Sequence, residues 1–283
     1  MEFHGRGFYN TLLFSSSEQA QKWQIEDYSA LSLQKLFQKL KEQNILSDEA
    51  TLKEYMNSAE SPEDLTDILS PFDEGTEPFE KSYLVIFELW KRFMPQKESL
   101  SIFCDKLDHL IHGYDQGEAV ADELVKALND LTKIFEDLCA SGLSQKETYE
   151  LFSSYLAQDL ETFIYDFLCD LIEAGEKTLA FDFLFGFYDF LHDKPALDLL
   201  KSTINLIENP EDSEAVFFNT IEKTFEKKRH NLILDAIYFT FDAGFIQISK
   251  TIAQSLLSKI KGDEKQEALS LLEPLIKPLG LNV

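Results

Sequence analysis

The string DKLDHLIHGYD brings Asp105, Asp108, His109, His112 and Asp115 within one stretch of 11 residues. On a helix, Asp105 and His109 stand four apart, as do Asp108 and His112, and the imidazoles stand three apart, so their side chains converge. Two imidazoles and a carboxylate make a partial shell for zinc or a similar divalent ion. A helix decorating its solvent face opposite Leu107, Leu110 and Ile111 writes the same string. Because a metal shell also needs inward-facing ligands and outer support, surface decoration is the preferred reading of these residues.

A second constellation is the dipeptide His192-Asp193. It resembles the metal-binding pair of all-helical phosphohydrolases of the HD type. That resemblance implies an upstream ligand from His109 or His112, a downstream one from Asp235 or Asp242, and a divalent ion that polarises a phosphoryl group and activates water. The pair also stands just before Lys194-Pro195, where a helix end accounts for it without a ligand. No P-loop, G-x-G-x-x-G, H-E-x-x-H or G-x-S-x-G pattern occurs, and with 51 acids no carboxylate pair can be singled out for acid-base work.

Aromatic residues crowd the segment from Phe152 to Phe190, where Phe181, Phe185 and Tyr188 are accompanied by Asp182 and Asp189. Most such rings belong to a core. Their number exceeds what one side of a helix pair can hide, so part of the set is expected to line an acid-rimmed apolar surface. Such a surface suits a basic amphipathic polypeptide.

Charge supports that choice of partner. The chain carries 26 basic and 51 acidic residues, and residues 61–200 hold 10 of the former against 30 of the latter. A field of this sign repels phosphate backbones and anionic headgroups, which speaks against direct nucleic-acid or membrane-surface binding. Mimicry of nucleic acid by the acidic middle is a further reading of the same charge. With 44% hydrophobic residues and 24 Phe, the chain has the apolar content to fold despite its charge. Three widely spaced cysteines without a C-x-x-C pair, an acid at Glu2 and no long apolar run point to a reducing, cytoplasmic setting and to no membrane span.

Helix signals run through most of the chain. Ser32 precedes the stripe Leu33, Leu36, Phe37 and Leu40; Ser47 and Ser61 have the character of N-caps, the latter followed by Pro62. The segment SPFDEGTEP at 70–78 reads as a linker between a small helical region at 1–70 and a main helical domain at 79–283. From residue 142, breaks at Gly142, Gly175, Pro210 and Gly244 fall 33, 35 and 34 residues apart. That period is similar in length to the helix-pair units of tetratricopeptide and HEAT arrays, although the Trp, Leu-Gly, Tyr and Ala pattern of the former is not found. An ordinary bundle whose helices end on glycine has the same spacing. The stretch TLAFDFLFGFYDFL alternates like a strand at Phe181, Phe183, Phe185 and Phe187, but its flanks are helical and it offers no partner strand, so a buried central helix is expected. The sequence thus predicts an all-α protein, a multi-helix bundle or short α-solenoid. Its role is expected to be that of an adaptor or chaperone without a cofactor, with the metal-dependent phosphohydrolase as the alternative.

Overall fold

The computed structural model describes residues 5–281, so Glu2 lies outside the described residues. Sixteen α-helices and one short 3-10 turn make up the described chain, and no strand occurs among the described residues. Two compact units divide at residue 160: Met1–Leu160 and Glu161–Val283.

The first unit is organised around one buried helix. Its elements are α1 (Arg6–Phe14), a 3-10 turn (Tyr28–Ala30), α2 (Leu33–Glu42), α3 (Glu49–Ser58), α4 (Pro62–Leu69), α5 (Glu77–Phe93), α6 (Leu100–Asp115), α7 (Ala121–Ala140) and α8 (Gln145–Ser153). In α5 the run from Ser82 to Trp90 is buried throughout, because α2, α4 and the 3-10 turn all pack on it. The segment at 70–78 therefore joins two packed helices of one unit. A helix enclosed this way has to be apolar on every side, and SYLVIFELW meets that need with one acid, Glu88, which reaches Arg92 at 2.6 Å. Arg92 also donates to the carbonyls of Tyr28, Ser29 and Leu31, fastening the 3-10 turn to α5.

Local starts and stops follow side-chain chemistry. The hydroxyls of Ser32 and Ser61 accept from the amides of Lys35 and Asp64, each capping its helix. Asp48, one residue past Ser47, is the cap of α3 and accepts from Thr51 at 2.8 Å; its carboxylate adds charge at the positive end of the helix. Gly113 lies inside α6, which runs on to Asp115 before Gly117 turns the chain at φ 75°.

The second unit comprises α9 (Leu160–Glu173), α10 (Lys177–Tyr188), α11 (Lys194–Glu208), α12 (Pro210–Glu226), α13 (His230–Asp242), α14 (Ile246–Lys259), α15 (Asp263–Leu271) and α16 (Glu273–Leu279). Gly142, Gly175 and Gly244 follow helix ends with φ of 113°, 81° and 84°, a left-handed region where a side chain would be strained. Each interval between the predicted breaks holds two helices. The most extensive packing, however, runs across two of the breaks: α11 on α12 and α13 on α14. A single residue, Asn209, joins the first of these pairs, and so short a connection forces its helices to lie as antiparallel neighbours. Phe217, Ile221, Ile233, Ile237, Ile252 and Leu256 fill the shared core.

The ambiguous phenylalanine stretch is helix α10. Its period decides which rings are hidden: Phe183 and Phe187, four apart, are buried with ring centroids 6.2 Å from each other. Phe185 points the other way and is 79% exposed. The expectation of a helix holds, and that of full burial does not.

One contact in the first unit leaves no room for a side chain. A Cβ on Gly7 would stand 2.5 Å from the carbonyl oxygen of Tyr155 and 2.9 Å from the carbonyl carbon of Leu156. Both are backbone atoms and cannot swing aside. Gly7→Ala is therefore expected to destabilise the protein by about 1–3 kcal/mol, the usual cost of overpacking. Urea unfolding followed by tryptophan fluorescence measures this, and an unchanged midpoint would show that the close approach is not made.

Candidate functional site

The polar string of α6 faces inward at its acids. Asp105 and Asp108 are 1% and 0% exposed, which corrects the reading of a decorated solvent face. Asp105 accepts from Arg6 Nε at 2.8 Å, Lys91 Nζ at 2.7 Å and Asn10 Nδ2 at 3.1 Å. Asp108 accepts from the same Asn10 nitrogen at 3.1 Å and from the amides of Ala157 and Gln158. Buried carboxylates demand partners of this kind, and the two side chains Arg6 and Asn10 come from α1. The same helix sends Tyr9 Oη to Glu80 at 2.6 Å, while the backbone amide of Arg6 donates to Tyr83, whose hydroxyl reaches Glu63 at 2.7 Å. Burial and the Glu80 bond both push the Tyr9 phenol well above its ordinary range.

The histidines stay outside this network. His109 Nε2 stands 3.8 Å from Asp105 with its side chain 45% exposed, and Phe14 stacks on His112 at 4.3 Å between ring centroids. No group of three His, Cys, Asp or Glu able to hold a metal occurs among the described residues.

His192-Asp193 forms the entry to α11. Asp193 caps that helix by accepting from Ala196, and its other oxygen receives Arg229 at 2.6 Å. Both backbone amides of the pair donate to Glu161 Oε1 at 2.6 Å, and His192 Nδ1 lies 3.5 Å from the second Glu161 oxygen. Asp193 thus has a cap and an ion pair, which is structural chemistry for a carboxylate. Asp235 accepts from Tyr165 Oη at 2.8 Å. Burial raises the Asp235 carboxyl above its ordinary range, against the Tyr165 bond, which lowers it. Cys104 is fully buried and its thiol is pushed up by that burial, as expected of a cysteine acting as a small apolar side chain.

The α10 surface brings together the predicted binding residues. Phe181, Phe185 and Tyr188 succeed one another at i, i+4 and i+7, and Asp182 and Asp189 flank them, both exposed. Phe181 and Tyr188 are half-buried. Tyr188 donates its hydroxyl to Asp198 at 2.7 Å, and Lys194 lies over its ring at 4.3 Å while donating to its carbonyl. The result is a stripe with one free ring, Phe185, between two carboxylates. Sequence reasoning singled out all five residues. It missed Arg6, Tyr9, Asn10, Glu63 and Glu80, whose partners lie 20 to 99 residues away; the signal available was a lone Arg and Asn on a short apolar helix.

The fold and these surfaces define an all-α protein with helical hairpins and no strand among the described residues. Comparison of the chain with protein families, with curated proteins and with solved structures gives no match.

The paired aspartates titrate in opposite directions. Burial raises Asp105, but Arg6 and Lys91 outweigh it and hold the group at about 2. Burial lifts Asp108 to about 6 against the hydrogen bonds from Asn10, Ala157 and Gln158. A carboxyl raised above its unfolded value of about 3.9 costs stability while ionised, and that cost disappears as pH falls through the folded value. Asp105, lowered, contributes stability above about pH 4 that is lost toward about pH 2. From pH 7 to pH 5 the first unit should gain on the order of 1–2 kcal/mol through Asp108. Trp23 and Trp90, the only tryptophans, both lie in that unit, so their fluorescence in urea reports it. Asp108→Asn is expected to flatten the slope, and equal slopes in both proteins would count against the assignment.

Proposed function

We propose that the chain is a non-enzymatic helical interaction protein, an adaptor or chaperone, whose α10 surface takes a basic amphipathic polypeptide. The observation that carries the reading is Phe185, 79% exposed at the centre of an acid-flanked aromatic stripe. An exposed Phe leaves unrealised most of the roughly 1.5–3 kcal/mol that burying its side chain supplies, and an apolar partner side chain recovers it. Asp182 and Asp189 complement the lysines or arginines that border the apolar face of a basic amphipathic helix. The field of residues 61–200, with 10 bases and 30 acids, steers such a helix toward the surface. The histidine-aspartate pair lends no comparable support to phosphohydrolysis, because Asp193 serves as a helix cap and as the partner of Arg229.

A fluorescein-labelled amphipathic peptide of lysine and leucine provides the test. Polarisation at increasing sodium chloride is expected to show weakening affinity, since screening removes the steering and the rim pairs. Phe185→Ala should weaken binding by about 1–2 kcal/mol, in the range of a central contact residue. Its thermal unfolding should match the parent, because the ring packs on little. Equal peptide affinity in the parent and in Phe185→Ala would overturn the assignment of this surface, whatever the salt dependence, because net charge alone attracts a cationic peptide.

A further inference from the structure

The facing surfaces of α11 and α12 diverge into a cavity of about 310 Å³ whose lining includes Lys201 and Asn205 from α11 and Val216, Asn219, Lys223 and Lys227 from α12 or its cap. The spacings within each helix, four on one and three, four and four on the other, keep these residues on one stripe apiece. Three lysines in one groove are unexpected in a chain of net charge −25. Seven other lysines hold a carboxylate within ion-pair distance, but these three have none among the described residues. The only acid in the lining, Asp198, is engaged by the Tyr188 hydroxyl at 2.7 Å. Glu222, on the same helix as Lys223, is held by Lys259 at 2.9 Å. Thr220 and Thr224 donate to the carbonyls of Val216 and Thr220, and Lys201 lies over the Tyr188 ring at 5.7 Å, which leaves its ammonium hydrogens, those of Lys223 and Lys227 and the asparagine amides as donors for the groove.

We infer that this groove between α11 and α12 is a binding site for a phosphorylated small molecule, distinct from the α10 surface that it borders at Tyr188. Each ammonium is a point charge with three donors, and three of them match the several oxygens and double charge of a phosphate better than they match one carboxylate. The volume falls at the lower end of small-ligand pockets. Pro195 and the 58%-exposed Val216 supply an apolar wall for an organic moiety, and Asn205 and Asn219 offer amides to orient it. A phosphate polymer is disfavoured by the net charge of the whole chain, whereas a small anion feels mainly the local lysines.

Isothermal titration calorimetry of the full chain with inorganic phosphate, pyrophosphate and ribose 5-phosphate at low salt provides the test. One saturable site is expected, weakened at least about tenfold by Lys201→Gln or Lys223→Gln, each of which removes a charge-assisted contact. Lys228→Gln, a basic neighbour outside the lining, should leave the affinity within about twofold, the level of a screened surface charge. Tighter binding of the sugar phosphate than of either inorganic ion assigns an organic ester as the ligand class, and equal or weaker binding assigns free phosphate. Absence of a saturable site for all three probes, or equal weakening by Lys228→Gln, overturns the inference. Circular dichroism melting of each variant confirms that the exposed substitutions leave the fold intact.

Discussion

The buried acids of the first unit impose the constraint on which its arrangement rests. Glu80, Asp105 and Asp108 are 4%, 1% and 0% exposed, and ionised groups so placed lose several kcal/mol of hydration apiece unless hydrogen-bonded partners replace the water. Helix α1 supplies Arg6, Tyr9 and Asn10 for this purpose, and α5 supplies Lys91. A nine-residue helix of modest burial thereby becomes obligatory. Its docking is satisfied unevenly: Asn10 Oδ1 and Glu80 Oε1 remain buried without a partner among the described residues. The closeness of Gly7 to the Tyr155 backbone is the steric counterpart of this electrostatic demand.

Packing in the second unit follows a different logic. Its core is almost entirely apolar, with α12, α13, α14 and the closing helices contributing Phe217, Ile237, Leu256, Leu272 and Leu279. Its buried polar side chains are small hydroxyls that donate to nearby backbone carbonyls, as Thr203 does to Leu199 and Thr240 to Ala236. Short turns after Glu208 and Asp242 force helices into antiparallel contact, so hairpin formation is local in sequence and needs no long-range ion pair. The two surfaces proposed for binding in this unit differ in character: one is an aromatic, acid-flanked stripe on α10 and the other a lysine-lined groove between α11 and α12.

Charge in this protein separates by location. Acidic residues outnumber basic ones by 51 to 26, and no described helix is long and apolar enough to cross a membrane. Against that background the unpaired lysines of the α11 and α12 groove are a local reversal of sign, and a local reversal governs what a small ion meets even where the net field is opposite.

Much of the architecture was legible beforehand because its causes are local. The helices, their caps at Ser32 and Ser61, and the stops at Gly142, Gly175 and Gly244 follow from periodicity and backbone preference within a few residues. Tertiary structure decided what depends on partners distant in sequence. Asp105 and Asp108 turn inward because Arg6 and Asn10, over 90 residues away, meet them there. Asp193 becomes a cap with a guanidinium partner because Arg229 folds back onto it. The lysines of two helices share a groove because Asn209 reverses the chain between them. A helical repeat fixes only which residues share a face; the direction in which that face points is set by the neighbour that buries it.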